Sequence, residues 1–391
     1  MSENTSIRVR RCGDLTKLLA DNQTWDGLAG AVPFRQSAWL EPWWEHFGSS
    51  LEPYVLVATD QNESIRGILP LFRCQSAGAR GLSMIGSGDA CSDYVSILCQ
   101  PSDSQQVTGQ MAKFLVNAYH QREDSWDYLD IDGIAESDPV MRGFAQQLSQ
   151  SGASLHATSE MSAWRLPRDA TWDDYLNRLA KTQRRKVRRW SEKVASLPGL
   201  ERHLADTSTS VEAALEQLIA MHQRRWNAAG QDGSYARPRF REFIHDAAVR
   251  FFERGQLYLP TLKKNGRVIS AELHFQTAQR QLYCYSSGYE VDCASIEPGR
   301  ILLVQTLLDL HRSEWPGIDF LRGDEIYKRR FGCQSERILR VRAFAPGMTN
   351  RVRSMTWNAG FEAKQWMRSR LGRTPHLTLD MAANQTPSVP N

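Results

Sequence analysis

No run of apolar residues in this chain is long enough to cross a bilayer. The opening "MSENTSIRVRRCGDL" lacks the apolar core of a secretory signal, so no cleaved leader is expected. Cysteine is scattered: Cys12, Cys74, Cys91, Cys99, Cys284, Cys293 and Cys333 make an odd seven, with no CxxC pair and no Cys/His cluster at zinc spacing. That argues against a disulfide framework and a zinc module, leaves no metal site to expect, and fits a reducing cytoplasm. There is no Walker P-loop, no G-x-S-x-G elbow and no HExxH. Those absences set aside three common hydrolase chemistries. Net charge is also scarce, at +4, and argues for no partner by itself.

What is present is a large apolar fraction and an uneven distribution of charge. Hydrophobic residues make up 41% of 391, enough for a sizeable core and two or three domains. Residues 1–165 hold 12 basic and 20 acidic residues, whereas residues 166–345 hold 30 and 22. An anionic ligand is therefore expected on the second half. Between positions 178 and 193 stand eight Lys or Arg and one acid, Glu192. Val187, Trp190, Val194 and Leu197 recur there at helical spacing, giving an amphipathic helix with one basic face. Such a face is commonly just solvated. It also suits an anionic, phosphorylated or membrane-linked acceptor. Nucleic-acid binding is the weaker reading, because no stacking motif accompanies it.

The chain reads as two copies of one α/β unit. "YVLVATDQNESIRGILPLF" (54–72) and "LYLPTLKKNGRVISAELHF" (257–275) superpose without gaps, matching Asn62 with Asn265 and Phe72 with Phe275. Each is strand, polar turn, strand. "MAKFLVNAYHQREDSWDYLDIDG" and "ILLVQTLLDLHRSEWPGIDFLRGD" share a second layout. In both, an apolar helix passes through Trp126 or Trp315 into a strand with a central aspartate. "QSAWLEPWWEHF" (36–47) is a helix capped by Ser37, with Trp43, Trp44 and Phe47 as core. Residues 171–228 read as helical almost throughout, and Gly86-Ser87-Gly88 as a turn. The expected divisions are 1–168, a helical basic insert 169–230, a second unit 231–346, and a helix with a disordered tail over 347–391.

The order of elements in the second copy is that of the GNAT acyltransferase fold. "SGYEVDCASIEPGRILLVQTLLDL" followed by "IDFLRGDEIYKRRFG" resembles the cellulose-biosynthesis (CelD-like) acetyltransferase-like family. "FRQSAWLEPWWEHF", "GSGDACSDY" and "KTQRRKVRRW" fit the same family, over roughly residues 30–345. That family in turn is similar to the Fem-type aminoacyl transferases, which pair two GNAT-like units. The resemblance implies an α/β (α+β) fold: two GNAT-like mixed-sheet units in tandem, joined by a helical insert. It implies transfer of an acyl group, typically from acetyl-coenzyme A, to an amine or hydroxyl of a sugar or cell-surface polysaccharide precursor. Alternatives are a Fem-type transferase using aminoacyl-tRNA and a non-catalytic accessory of a polysaccharide machine.

A donor pyrophosphate is well served by a helix N-terminus. The loop "SIEPGR" points to Ser295, Gly299, Arg300 and Ile301 for that role. Pro298 removes one N–H there, and Glu297 has the wrong sign beside a phosphate. In "AELHFQ", alternation puts Glu272 and His274 on one face as candidate bases. In "QLYCYSSGY", Tyr283, Tyr285 and Ser287 share a face, and the two tyrosines with Arg322 are candidate substrate contacts. Asp324, Tyr327 and Lys328 stand at the carboxyl end of a strand, where α/β sheets bind ligands. By resemblance, Tyr327 occupies the place of the GNAT acid that protonates the leaving thiolate. "YKRRFG" matches the Fem-type pattern at Lys328, Phe331 and Gly332, with Lys328 as oxyanion stabiliser. All of this requires the turn before Ile301 and the segment after Leu321 to flank one crevice.

Overall fold

The computed structural model describes residues 6–76, 78–119, 121–370 and 377–379. The first half supplies β1 (Arg8–Cys12), β2 (Glu52–Thr59), β3 (Ile65–Ser76), β4 (Ala79–Met84), β5 (Leu98–Cys99), β6 (Tyr128–Ala135) and β7 (Ser154–Pro167). The second supplies β8 (Leu200–Leu204), β9 (Leu257–Tyr258), β10 (Pro260–Lys264), β11 (Arg267–Gln276), β12 (Leu282–Tyr289), β13 (Gly317–Arg322) and β14 (Gln334–Phe344), and β15 (Leu377–Leu379) follows. They form one continuous sheet in the order β1-β2-β3-β4-β6-β14-β7-β13-β12-β11-β10-β8.

That order shows an exchange. β14 comes from the second half yet lies between β6 and β7 of the first, and β7 pairs in turn with β13 of the second. β7 and β14 run antiparallel along their length, from Gln334 opposite Arg165 to Phe344 opposite Ser154. The central aspartates seen in the sequence repeat hold this seam. Asp130 on β6 accepts from Arg340 at 2.8 Å and pairs with Arg342, both on β14. Asp319 on β13 accepts from Arg165 of β7 at 2.7 Å. Each duplicated carboxylate thus binds an arginine on a neighbouring exchanged strand, and both sit where water is scarce, so the pairing strengthens.

Two parallel pairs occur in the sheet, β4 with β6 and β12 with β13. Parallel neighbours require a crossover. The helices Ser104–Ala118 and Pro298–Arg312 supply one each, and both are apolar on the side that meets the sheet.

The helix Ser37–Phe47 packs on Pro238–Glu253, an element the sequence reading did not mark. Trp39 meets Phe243 at a centroid distance of 4.7 Å, and Phe47 meets it at 5.6 Å. Trp43 is buried, with Trp44 and Phe47 packed against the same core. This aromatic core joins the halves, since Phe34 and Trp39 from the first contact Phe275 and Tyr285 from the second. Burying such side chains contributes about 1.5–3 kcal/mol each.

Several expectations need correction. Gln36, not Ser37, precedes the helix, and Ser37 instead bonds Asp26 through both its amide and its hydroxyl. The stretch 171–228 is not helical throughout: the helices Trp172–Arg178, Lys181–Ser196 and Ser208–Ala228 are interrupted by β8. β8 is the edge strand of the second half, paired to β10. Its residues are mostly exposed, so the apolar alternation that betrays a strand is missing. In the tail expected to be disordered, Leu377–Leu379 pairs with β7. The remainder of that tail lies outside the described residues.

Candidate active site

β12 and β13 are paired only where they begin, at Leu282 with Ile318 and Tyr283 with Asp319. Beyond those two positions the strands diverge and leave a wedge. The pairing of β11 with β12 shifts register between Leu273 and His274, skipping Tyr285. This bulge turns the strand, as an unpaired extra residue does. It also breaks the expected alternation: Tyr283 and Tyr285 pack into the aromatic core, while Ser287 stands where two cavities meet.

A cavity of 290 Å³ opens on the side of the helix Pro298–Arg312. Its walls include Glu297, Gly299, Arg300, Glu272 and Tyr327. The turn before Ile301 and the segment after Leu321 therefore do flank one crevice. A second cavity of 370 Å³ lies on the side of the first half. Arg225, Cys284, Ser287, Phe320 and Tyr327 line both, so the two meet at the wedge. A donor on one side and an acceptor on the other would converge on these residues.

The donor side suits an anion in part. Arg300 lies over the Tyr327 ring at 4.4 Å and has no carboxylate within ion-pair distance among the described residues. Burial pushes its pKa down, with Tyr327 and Glu297 opposing. Arg225 also lacks a carboxylate partner among these residues and leans over Tyr289. Glu297 is drawn away, because its carboxylate accepts from Arg189 at 2.5 Å and from Trp190 Nε1 at 2.9 Å. Backbone donors are few. The amides of Arg300 and Ile301 both bond Glu297 O, at 2.9 and 3.1 Å, and Pro298 has none. Gly299 is left with the free amide. Ile301 is fully buried in the core and Ser295 is exposed outside the cavity wall, so neither is placed to touch a ligand. Gly299, Arg300 and Arg225 are what this side offers an anion, with fewer free amides than a glycine-rich loop would present.

Tyr327 is the predicted residue most directly presented to both cavities. Burial raises its pKa, and Arg300 opposes that rise. The phenol is thus protonated at neutral pH, with a cation beside it to stabilise the phenolate. Glu272 lines the donor cavity, and its Oε2 accepts from Thr306 Oγ1 at 2.9 Å and lies 3.0 Å from His274 Nε2. His274 is fully buried behind it and lines neither cavity.

The other predicted residues are occupied. Lys328 Nζ donates to the carbonyls of Leu321, Arg322 and Gly323, at 3.2, 3.4 and 2.9 Å, and pairs with Glu325 at 2.9 Å. It fastens the end of β13 and also lines the second cavity. Asp324 Oδ1 accepts from Trp164 Nε1 at 3.1 Å and Ser162 N at 3.3 Å, on the β7 side. Arg322 pairs with buried Asp93 and with Asp132, the latter at 2.8 Å, and clasps the two halves. Tyr283 and Tyr285 donate to Ala31 O and Ala90 O, each at 2.9 Å. Their hydroxyls face the first half, though Tyr285 still walls the second cavity.

Sequence reasoning missed Arg225 and His222, which stand one turn apart on the helix Ser208–Ala228 and line the second cavity. His222 Nε2 accepts from Trp226 Nε1 at 2.9 Å, so its proton resides on Nδ1, which has no partner. Burial and Arg225 lower its pKa to about 4. Their spacing, "MHQRRW", was legible; the helix face was not.

The first half has the same wedge, between β4 and β6, but its own chain fills it. Val95 N donates to Gly133 O at 3.0 Å. Tyr94 OH reaches Asp319 at 2.6 Å, and Asp93 meets Arg322. Gly133 has φ +96, and a Cβ there would lie 2.2 Å from Ser92 O. The segment "GSGDACSDY" is therefore a plug as well as a turn. Of the two wedges, that of the second half is open and that of the first is closed.

The fold is a tandem of two GNAT-like units, each a mixed sheet with a splayed parallel pair. Residues 181–329 match the family model described as an acetyltransferase (GNAT) domain. The whole chain resembles the crystal structure of FemX, with TM-score 0.56, 11% identity, and coverage of 82% of this chain and 95% of that one. A conserved protein of unknown function from Bacteroides thetaiotaomicron gives 0.55, 12%, 86% and 99%. Identities this low show the fold alone. No curated protein matches the sequence. Among the described residues, no cluster is placed to hold a metal ion and no helix is long and apolar enough to cross a membrane.

Proposed function

We propose that the chain is an acyltransferase that takes an acetyl or other acyl group from a coenzyme A thioester, bound in the β12–β13 wedge. The observation that carries this is the shared cavity. It holds the loop at Gly299 and Arg300, the phenol of Tyr327 and two arginines without carboxylate partners. The acceptor is an amine or hydroxyl entering from the cavity beside Arg225 and His222. The resemblance to the cellulose-biosynthesis branch makes a saccharide precursor of the cell surface the favoured acceptor class.

In this reading the nucleophile forms a bond to the thioester carbonyl carbon and the C–S bond breaks. Glu272 takes the nucleophile's proton on the oxygen not held by Thr306 and His274. Tyr327 delivers its proton to the departing sulfur, with Arg300 steadying the phenolate. A backbone amide turned out of the ladder by the bulge at Tyr285 would meet the developing oxyanion.

Acetyl-coenzyme A titrated calorimetrically is expected to bind, and Gly299→Trp to abolish binding by filling the cavity. Tyr327→Phe should lower kcat by roughly 100-fold while leaving KM nearly unchanged. Absence of binding by any acyl thioester would sink the reading. The similarity of fold to FemX supports a second reading, an aminoacyl-tRNA donor. Transfer of labelled amino acid from charged tRNA, unaffected by coenzyme A, would favour it.

A further inference from the structure

The helix Lys181–Ser196 begins against the usual electrostatic rule. A helix N-terminus carries partial positive charge and is stabilised by acids. Here the first turn has no acid, and Ala180 at the N-cap offers no side chain to the free amides. Instead Lys181, Arg184, Arg185 and Lys186 crowd the same end. Arg184 is engaged, donating to Asn177 and Leu179 O. Lys181, Arg185 and Lys186 make no ion pair among the described residues. Positive charge is thus concentrated where the backbone already supplies it.

A groove of 520 Å³ lies at this end. Thr182, Gln183 and Lys186 form one wall, and Arg329 and Arg330 form the other. No carboxylate lines it. Arg178, the remaining cation, is spent on Asp169 and Gly332 O. Gln183 is the second observation. The residue is only 9% exposed, it lines the groove, and among the described residues its side-chain amide, which opens onto the groove, has no hydrogen-bond partner. A largely buried amide whose one open side faces the groove is held in place to bond whatever enters it.

We propose that this groove is a binding subsite for a phosphate group, separate from the donor cavity. Phosphate oxygens would take the free amides of Thr182 and Gln183, the Gln183 side chain, and the cations of Lys186, Arg329 and Arg330. The short helix Ile326–Arg330 links the two places, since Tyr327 faces the wedge while Arg329 and Arg330 face the groove. A ligand held by its phosphate here sits one helical turn from the acid of the wedge. The subsite does not depend on which acyl group is transferred, or on acyl transfer at all.

Calorimetric titration of the full chain with inorganic pyrophosphate tests it. Saturable binding is expected, and Arg329→Ala with Arg330→Ala should weaken it at least about tenfold. Gln183→Leu keeps the charge and the burial and should weaken it several-fold, with circular dichroism unchanged. Lys193→Ala, at the far end of the same helix, should leave it intact. Vesicles of phosphatidylglycerol against phosphatidylcholine identify the source of the phosphate. Co-sedimentation lost on the two arginine substitutions points to a lipid headgroup; pyrophosphate binding without vesicle binding points to a soluble phosphate ester. No binding of either probe overturns the proposal. So does binding that Lys193→Ala weakens as much as the groove substitutions, because that is diffuse charge attraction.

Discussion

Tyr327 and Lys328 are adjacent, and nothing in the sequence separates their roles. The structure separates their contacts, because Tyr327 lines both cavities while the Lys328 ammonium, at the edge of the second, donates to three carbonyls of β13. A motif records which residues stand together, whereas function depends on which hydrogen bonds are left over. By the same measure Asp324 and Arg322 have their partners within the protein, although Arg322 still lines the second cavity, while Arg225 has no carboxylate partner among the described residues. His222 leads to a measurable consequence. Its pKa lies near 4 in the folded protein against 6.5 ordinarily, so the unfolded chain binds the proton more tightly. Its contribution to stability is present above pH 6.5 and is lost as pH falls toward about 4. Asp319 works the other way: burial raises it to about 6 from 3.8, so stability falls as pH rises through that window. Urea unfolding from pH 6.5 to 4.5 should therefore show His222→Gln losing less stability than the natural chain. The gap should grow by roughly 1.4 kcal/mol per pH unit. Parallel curves would refute the assignment.

At the scale of elements, the sequence was informative wherever apolar periodicity was strong. The hairpins at 54–72 and 257–275, the two crossover helices and the strands with central aspartates all appear where the repeat put them. What escaped were elements whose signal is tertiary. β8 is a polar edge strand, and the bulge at Tyr285 leaves no mark in "LYCYSSGY". The plug in the first wedge was likewise read only as a turn, since filling a gap in a sheet is invisible locally. It depends on Gly133, whose backbone conformation and contact with Ser92 O both exclude a side chain. Gly133→Ala should cost at least about 2 kcal/mol in chemical denaturation. A neutral result would show that the plug shifts freely.

On the scale of the whole molecule, duplication was readable and exchange was not. The repeated order of strands and helices follows from the sequence, but no pattern along the chain says that β14 completes the first copy's sheet. Two units sharing a seam of this length have no boundary at which to separate. Calorimetric melting should accordingly give one transition, with calorimetric and van't Hoff enthalpies equal. Two resolved peaks would mean that the units unfold independently despite the exchange. The seam also bears on how the protein is made. A ribosome delivers residues 334–344 after β1 to β13, so the earlier copy cannot close while it is being synthesised. It waits, with one slot vacant beside β6, until β14 leaves the exit tunnel, and the two copies mature together or not at all.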